Sequence, residues 1–414
     1  MSKTYSSIRG TCDFGPSQSL LFNTIAAKTR GIFRLFGYEE IILPLLEETG
    51  LFVRGVGETS DIVEKQMFKV SDKDIVLRPE GTAQVVRYYL ENSLQNQSDF
   101  YKFCYVGPMF RGERPQKGRL RQFHHLGAEA IGSRSFRLDA EIIWMAVRIL
   151  DDIGVTEKEV KVNTLGCAQD KQKFAGAIQI GLNAARSQLC EDCQRRLDKN
   201  PLRVIDCKNH GCKSVVASLN LGDDHLCAGC KEHFTQVLSV LDKLGIKYTH
   251  AKDLVRGLDY YTNTVFEITS SRLGSQDAIG AGGRYDGLIA SLGGPQIPAI
   301  GFALGMERII LALGQEPVMP GVSVFVAPMS DDLSGEAVTI LQKLRQVGVD
   351  ADMDYCGKSL KSQLRFAQRK NAKLVVILGD EEWKEQCVIL KDMRNNSQDK
   401  IKLEFLLDEI DIKL

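Results

Sequence analysis

Residues 110–125 read FRGERPQKGRLRQFHH, and two runs of apolar and aromatic residues that are typical of strands, 100–110 and 123–131, flank them. Five cations fall within eleven residues of this segment, interrupted by Pro115 and Gly118. The pattern predicts a β-hairpin that presents guanidinium groups, whose forked N–H donors match the paired oxygens of a phosphate. The alternative interpretation is a charged loop exposed to solvent.

The segments around the hairpin predict an antiparallel sheet with flanking helices. Apolar residues at helical spacing predict a helix over residues 20–36, and strands are predicted at 40–45 and 75–78. Between about 165 and 251 the composition shifts to cysteine, lysine and asparagine, before strand signals return at 254–268. We interpret this stretch as an insertion into the sheet domain.

The C-terminal part is predicted to be a separate domain. Residues 314–321 contain Pro317 and Pro320 and have the composition of a linker. Beyond them, short apolar strands alternate with helical stretches, which predicts an α/β domain of about a hundred residues. The predicted class is α+β, with a sheet domain over 1–165 and 251–318, a cysteine-rich insertion over 166–250 and an α/β domain over 322–414.

Composition excludes several classes of protein. The 414 residues exceed what one core usually supports, and 43% hydrophobic beside 26% charged residues is the balance of a packed globular protein. The formal net charge of zero gives no overall attraction to nucleic acid, so a polyanion must meet a local patch. Because neither a secretion signal nor a run of 18 apolar residues occurs, we expect a cytoplasmic protein without a membrane span.

Two features near the hairpin suit a small charged substrate. Glu80 and Thr82 follow a predicted strand, where they could hold an ammonium group. Glu129 stands at strand spacing from Phe123 and His125, so these side chains should share one face of the sheet.

Three later segments add arginines, tyrosines and glycines. They are LVRGLDYY at 254–261, GAGGRYDG at 280–287 and GFALGMER at 301–308. The second is not a dinucleotide fingerprint, because the flanking strand–helix unit and the distant ribose acid are not evident. In the third, we expect the small residues to let a helix pack closely.

In this order the segments resemble the histidyl-tRNA synthetase family of class II aminoacyl-tRNA synthetases, over nearly the whole chain. Residues 37–44 resemble the first class motif at the dimer interface, 110–129 the second and 301–308 the third. More specific are 254–261, called the histidine segment below, and 281–285. The resemblance implies an antiparallel-sheet catalytic domain, an anticodon-binding domain, a homodimer, and joining of L-histidine to tRNA(His) with ATP and Mg²⁺.

The resemblance also implies a role for each matching residue. Arg111 and Arg256 would be catalytic and would hold the reacting α-phosphate between them. Arg119 and Arg308 would bind the outer phosphates of ATP. Phe123 would stack on adenine, and Glu113 would also belong to the ATP site. The residues implied to bind histidine are Glu80, Thr82, His125, Glu129, Tyr261 and Tyr285.

His125 departs from the family pattern, which usually has glutamine at this position. Neutral imidazole can accept a hydrogen bond from the histidine ammonium, whereas imidazolium cannot. We therefore expect histidine binding to weaken below about pH 6.5. The alternative is that His125 only packs, and His124 is expected to be structural.

The cysteines point to a metal. Of eleven in the chain, six lie between residues 190 and 230, which in a cytoplasmic protein indicates thiols and metal ligands before disulfides. Two CxxC motifs lie at the ends of this stretch, with Cys207 and Cys212 between them. Four thiolates suit tetrahedral Zn²⁺, although the resemblance does not require zinc. We expect one structural site formed by Cys190, Cys193, Cys227 and Cys230, in an insertion that acts as scaffold or RNA clamp.

In the last domain Lys358, Lys361, Arg365 and Arg369 recur at helical spacing and make one helix face basic. A solvated face is the common explanation, but the resemblance to an anticodon-binding domain favours contact with tRNA. Gln116, at the tip of the hairpin, is expected near the acceptor end.

Two other classes of function fit parts of the sequence. One is a non-catalytic, synthetase-like regulatory subunit of ATP phosphoribosyltransferase, a type that typically lacks the last domain and the arginine of the histidine segment. The other is a zinc-dependent RNA-binding protein with an inactive site. Histidine-dependent pyrophosphate exchange discriminates both from a ligase.

Overall fold

The computed structural model describes residues 5–57, 60–70, 73–207, 209–219, 222–274, 277–314 and 321–414. They belong to two compact units, Met1–Pro317 and Val318–Leu414. The predicted linker at 314–321 lies mostly outside the described residues. Within them, no helix is both long enough and apolar enough to cross a membrane.

An eight-stranded sheet organises the first unit, in the order β1-β5-β6-β11-β10-β9-β7-β8. Its six central strands, from β5 to β7 in that order, pair antiparallel, and the two edge strands pair parallel. A smaller sheet has the order β2-β4-β3. The strands are β1 (Glu39–Glu40), β2 (Leu46–Glu48), β3 (Phe68–Lys69), β4 (Ile75–Leu77), β5 (Tyr101–Phe110), β6 (Gln122–Ile131), β7 (Glu159–Thr164), β8 (Thr249–His250), β9 (Thr262–Thr269), β10 (Ala278–Arg284) and β11 (Ala299–Gly305).

Helices cover the sheet and build the insertion. They are α1 (Pro16–Leu35), α2 (Thr49–Val56), α3 (Thr82–Glu91), α4 (Phe136–Ile153), α5 (Ala168–Asn183), α6 (Glu191–Lys199), α7 (Leu202–Ile205), α8 (His210–Ala217), α9 (Ala228–Lys243), α10 (Leu288–Ser291) and α11 (Met306–Leu313). The main core joins α1, α4 and α9 to the sheet. A second core lies among the helices α5 to α8. The α+β class and the antiparallel sheet are therefore confirmed.

The strand predicted over residues 40–45 was wrong for most of its length. Residues 41–44 are irregular, because Pro44 has no N–H to donate and side chains bind the carbonyl groups there. Arg78 donates to the carbonyl of Leu43 at 2.9 Å, and Gln84 donates to that of Pro44 at 2.9 Å.

The small residues of the segment 301–308 also serve a different purpose from the one predicted. Residues 301–305 belong to the strand β11, and the helix begins only at Met306. Gly301 pairs with Glu129 across β6, where an added Cβ would lie 1.7 Å from a carboxylate oxygen of Glu129. Glycine is therefore needed to leave room for the Glu129 side chain.

The second unit is a five-stranded sheet with helices. Its strands are β12 (Val324–Pro328), β13 (Ala351–Met353), β14 (Leu374–Leu378), β15 (Cys387–Asp392) and β16 (Ser397–Lys402), in the order β13-β12-β14-β15-β16. Its helices are α12 (Ser334–Gln346), α13 (Leu360–Arg369), α14 (Asp380–Lys384) and α15 (Leu406–Lys413). The first three strands in the order are parallel and the last two pair antiparallel, as an α/β domain with an antiparallel edge would.

A buried ion pair ties α4 to the central sheet. Arg284, 1% exposed, donates through Nε to the fully buried carboxylate of Asp139 at 2.8 Å. Thr264 donates to the same carboxylate at 2.6 Å, and Nε2 of His233 lies 2.9 Å from it. Removing one partner of such a pair leaves a buried charge uncompensated.

We predict that Asp139→Asn destabilises the protein by about 3–5 kcal/mol, because Arg284 would lose its ionised partner. The matched control is Asp198→Asn, since Asp198 pairs with Arg186 at the surface and such pairs contribute about 0–1 kcal/mol. Urea unfolding, followed by circular dichroism, measures both changes. Equal shifts in the two variants would contradict the role given to the buried pair.

Candidate active site

A cavity of about 1550 Å³ lies in the first unit, between the sheet and the insertion. Arg111 and Arg256, which are distant in sequence, both line it. Eight more of the residues singled out in the sequence share this lining: Glu80, Thr82, Glu113, Arg119, Phe123, His125, Tyr261 and Arg308. The structure thus brings ten of the expected substrate-binding residues to one cavity.

Arg111 is positioned by a neighbouring loop and by an aromatic ring. Its Nε donates to the carbonyl of Pro79 at 2.9 Å, and its guanidinium lies 5.2 Å from the centre of the Phe123 ring. Burial lowers the pKa of Arg111, and Glu113 and Glu80 oppose that shift. The guanidinium is therefore held against the ring before any phosphate arrives.

Arg256 lines the same cavity and pairs with Glu267 on β9. Burial lowers the pKa of Arg256, but Glu267 and Tyr261 raise it, and the net shift is upward. Its Nε is buried and has no hydrogen-bond partner among the described residues. The sequence analysis missed Glu267, because a single acid in a strand gives no local signal.

The other cavity arginines are held by protein oxygens. Arg119 pairs with Glu113 at 3.0 Å, and Nη1 of Arg308 donates to the carbonyl of Ala278 at 2.6 Å. Burial lowers the pKa of Arg308, as do the nearby cations of Arg119 and Arg111. Several cations in one buried space repel each other, so this arrangement favours a polyanionic ligand.

Glu80 and Thr82 stand where the helix α3 begins. The two carboxylate oxygens of Glu80 accept the backbone N–H groups of Thr82 and Ala83, at 2.6 and 2.9 Å. Those amides have no partner within the helix, so Glu80 caps it. Burial raises the pKa of Glu80, against the effect of these hydrogen bonds.

Glu129 is enclosed by hydroxyl groups. Thr82 and Tyr105 donate to one of its oxygens at 2.7 and 3.3 Å, and Tyr285 donates to the other at 2.6 Å. Burial raises the pKa of Glu129 to about 8, although hydrogen bonds from Tyr285 and Thr82 lower it. Glu129 and Tyr285 are not among the residues that line the cavity, and they reach it through Thr82.

His125 remains neutral over a wider pH range than the sequence suggested. Burial lowers its pKa well below 6.5, as do the charges of Arg111, Arg78 and His124. We therefore predict that the weakening of histidine binding, expected below about pH 6.5, begins at a lower pH, where the imidazolium forms. Nδ1 of His125 is buried without a hydrogen-bond partner among the described residues.

The insertion forms a wall of the cavity, which the sequence analysis did not foresee. Asp61, which lies outside the insertion, accepts hydrogen bonds from Arg196 at 2.9 Å and from Arg203 at 2.7 Å. Nη1 of Arg203 also donates to the carbonyl of Gly257 at 2.9 Å, next to Arg256. The insertion therefore supports the backbone of the histidine segment directly.

The cysteines form two clusters, and the single site predicted from the two CxxC motifs was wrong. One cluster contains Cys190, Cys193, Cys207 and Cys212, and the other contains Cys167, Asp170, Cys227 and Cys230. In each cluster the potential ligand atoms lie within 4.8 Å of one another. The two motifs separate because they begin different helices, α6 and α9, which pack against different neighbours.

The basic face of the second unit is exposed. Lys361, Arg365 and Arg369 lie on α13 and face solvent. Arg369 and Lys358 lie 5.5 Å from the centre of the Phe366 ring. Gln116, in the first unit, is exposed at the hairpin tip and does not line the cavity.

The raised pKa of Glu129 predicts how stability depends on pH. A carboxyl that binds its proton more tightly when folded stabilises the protein below its unfolded pKa of 4.5, and this contribution is lost as the pH rises through about 8. Relative to Glu129→Gln, the wild type should lose about 4 kcal/mol between low pH and pH 8. Urea midpoints from pH 5 to 8 measure the difference. The exposed control Glu232→Gln should follow the wild type, and parallel curves for all three proteins would contradict the assignment.

Comparison with known proteins agrees with this geometry. The family described as Histidyl-tRNA synthetase matches residues 10–309, and the one described as Anticodon binding domain matches residues 323–412. A histidine–tRNA ligase of Halothermothrix orenii is 45% identical over 409 residues, which cover 97% of this chain and 98% of that protein. One of Geobacter metallireducens is 43% identical over 400 residues, covering 96% and 97%.

A solved structure supports the same assignment. The crystal structure of apo S. aureus histidyl-tRNA synthetase matches with a TM-score of 0.80 at 33% identity, covering 98% of this chain and 100% of that one. The cavity, the sheet around it and the second unit all fall within the matched length. The chain belongs to the histidyl-tRNA synthetase family.

Proposed function

We propose that this chain is a histidine–tRNA ligase, which activates L-histidine with ATP in the cavity and then transfers it to the 3′ end of tRNA(His). The observation that carries the proposal is that Arg111 and Arg256 line one cavity together with carboxylates that suit an amino acid. Relatives that bear the name histidine–tRNA ligase cover nearly the full chain.

In the first step, a carboxylate oxygen of histidine attacks the α-phosphorus of ATP. A new P–O bond forms, the bond to the bridging oxygen of the β-phosphate breaks, and pyrophosphate leaves. Two anions must approach each other, so fixed cations on both sides of the phosphorus are the main requirement. Arg111 and Arg256 supply them, while Arg119 and Arg308 bind the outer phosphates.

Other cavity residues hold the nucleotide and its metal. The ring of Phe123 stacks on adenine, with the Arg111 guanidinium near it. Glu113 would offer carboxylate oxygens, which Mg²⁺ prefers, to an ion bound with ATP, and that ion would neutralise part of the phosphate charge. Glu113 already accepts a hydrogen bond from Arg119, so cation and carboxylate are adjacent.

Histidine is recognised by polar groups at both of its ends. Glu80, Thr82 and His125 hold the ammonium group, and neutral His125 is able to accept a hydrogen bond from it. Tyr261 lines the cavity beside the imidazole, and Glu129, held in place by Tyr285, lies behind that wall next to Thr82. A site whose buried groups require the substrate's N–H donors rejects analogues without them by about 10⁴–10⁵, so a separate editing domain is unnecessary.

In the second step, a ribose hydroxyl at the 3′ end of tRNA attacks the carbonyl carbon of the histidyl-adenylate. The ester bond to tRNA forms, the bond to phosphate breaks, and AMP leaves. Lys361, Arg365 and Arg369 bind the anticodon region through phosphates, and Gln116 contacts the acceptor end. Their exposure leaves these side chains accessible to RNA.

The assembly we propose is a cytoplasmic homodimer. Ile42 is 96% exposed, and Leu45 and Leu46 are 43% and 49% exposed, in and beside the segment that resembles the first class motif. Contiguous exposed apolar side chains of this kind mark protein interfaces. A second copy of the chain would cover them.

We also propose structural zinc in the insertion, at Cys190, Cys193, Cys207 and Cys212. Sγ of Cys190 lies 3.9 Å from Sγ of Cys207. Two sulfurs bound at about 2.3 Å to one tetrahedral ion lie about 3.8 Å apart, whereas a disulfide needs about 2.05 Å. The cluster therefore has the spacing of a Cys₄ zinc site.

The two alternative functions are less consistent with the chain. The match to an anticodon-binding domain and the presence of Arg256 in the cavity oppose a regulatory subunit. The cations and carboxylates gathered in the cavity oppose an RNA-binding protein with an inactive site.

We predict that Arg256→His retains the fold and lowers histidine-dependent pyrophosphate exchange by about 10³–10⁵, because a transition-state arginine contributes that much to phosphoryl transfer. Arg148→His, on the exposed face of α4, is the matched control and should exchange at the wild-type rate. Circular dichroism checks folding. Exchange at the wild-type rate in Arg256→His would remove Arg256 from the mechanism.

We predict that Lys361→Glu weakens tRNA binding and lowers aminoacylation, while pyrophosphate exchange with free histidine is unchanged. The cause is the loss of a phosphate contact, so the slope of log affinity against log salt should decrease by about 1. Filter binding at several salt concentrations measures it. Lys384→Glu, which lies among the acids of α14, should leave affinity unaltered; equal weakening by both variants would refute a specific face.

A further inference from the structure

We propose that the insertion holds a second metal ion, bound by Cys167, Asp170, Cys227 and Cys230, and that this ion fastens the base of the insertion to the strand that follows the histidine segment. The four ligand atoms lie within 4.8 Å of one another. Three thiolates and one carboxylate are suitable ligands for tetrahedral Zn²⁺. The site shares no residue with the Cys₄ cluster and does not depend on it.

The ligands come from the first turns of two helices. Cys167 is the N-cap of α5 and Asp170 lies three residues later, whereas Cys227 is the N-cap of α9 and Cys230 lies three residues later. Each helix start therefore presents two ligands on one side. This i, i+3 arrangement is the one that also places Cys190 and Cys193 at the start of α6.

The two helix starts donate hydrogen bonds to each other's ligands. The backbone N–H of Cys167 donates to Sγ of Cys230 at 3.3 Å, and that of Cys227 donates to Asp170 at 3.1 Å. Helix N-termini stabilise negative charge, so these amides favour the thiolate and carboxylate forms that bind metal. Such hydrogen bonds around a metal also fix the orientation of its ligands.

The charge of Asp170 calls for a cation. Asp170 is fully buried, and its Oδ1 accepts no hydrogen bond from any described residue. The ammonium of Lys173 lies 3.9 Å from Oδ1, but that side chain is 64% exposed. A buried carboxylate is costly unless hydrogen bonds or a cation compensate it. A bound divalent ion would supply that charge at the centre of the cluster.

The proposed ion lies against the start of β9. Sγ of Cys230 is 3.6 Å from Oδ1 of Asn263, whose backbone N–H donates to the carbonyl of Gly166 at 2.7 Å. One turn into α5, Lys171 donates to the carbonyl groups of Asp259 at 2.6 Å and Tyr261 at 2.9 Å. The two helix starts that the ion joins therefore hold the end of the histidine segment. Any influence of the ion on histidine binding through this segment rests on the proposed function. The metal site itself does not.

Metal analysis of protein expressed in zinc-replete cells and purified without chelator tests the site. The expected content is two zinc ions per chain in the wild type. Cys227→Ser with Cys230→Ser should retain one ion, Cys190→Ser with Cys193→Ser should also retain one, and all four changes together should retain none. Cys12→Ser with Cys356→Ser, two exposed cysteines, is the control and should retain two.

The outcomes separate the two sites. One ion per chain that survives the change at Cys227 and Cys230 but not the change at Cys190 and Cys193 would overturn the second site and leave the first. Absence of zinc, with two of the thiols joined in a disulfide, would overturn both. Neither result bears on ligase activity, which pyrophosphate exchange measures independently.

Two further measurements test the ligands and the fastening role. The strength of the cobalt–thiolate charge-transfer band follows the number of bound thiolates. Two Co²⁺ ions in the wild type would have seven thiolate bonds, whereas the protein lacking Cys227 and Cys230 would keep one ion with four. The wild-type band should therefore be about 7/4 as strong. Asp170→Cys should keep two ions and raise the band further; loss of an ion in this variant would contradict a tetrahedral site. Chelation should also speed hydrogen exchange in residues 259–264, and unchanged exchange there would refute the fastening role.

Discussion

The site depends on holding its cations against protein oxygens before substrate enters. Arg256 is held by Glu267, Arg119 by Glu113, and Arg308 by a backbone carbonyl. Each of these cations is therefore oriented by a protein oxygen, and little reorganisation would remain on binding of the proposed substrate ATP. Fixed dipoles and charges of this kind are usually the largest contribution to catalysis in such enzymes.

A similar constraint explains a glycine in the sheet beside Glu129. Glu129 needs three hydroxyl donors around it and a neighbouring strand without a side chain, and Gly301 on β11 provides that space. The insertion completes the arrangement, because Arg203 and Lys171 bind carbonyl groups of residues 257–261. The segment that carries Arg256 is thus held by hydrogen bonds from the insertion.

The sequence was informative where a feature depends on local spacing. The strands of the hairpin, the shared face of Phe123 and His125, and the basic face of α13 all follow from periodicity within one element. It failed where a feature depends on contacts between distant elements. The strand near Pro44 is replaced by side-chain hydrogen bonds from Arg78 and Gln84, and no local pattern announces them.

The cysteines and the acids show the same limit. Which cysteines lie near each CxxC motif depends on how four helices pack, so the sequence could not predict the two clusters. Glu267 is an ordinary strand acid until β9 brings it beside Arg256. The pKa of His125 likewise depends on burial and on Arg111 and Arg78, which the sequence does not place around it.

In the proposed ligase, one cavity unites the cations for ATP with a pocket for histidine. Pyrophosphate exchange by the purified chain, with Mg²⁺ and ATP and each of the twenty amino acids in turn, tests it most directly. We expect exchange with histidine, and rates lower by about 10⁴ or more with every other amino acid. Exchange that is absent with histidine, or equally fast with another amino acid, would contradict it.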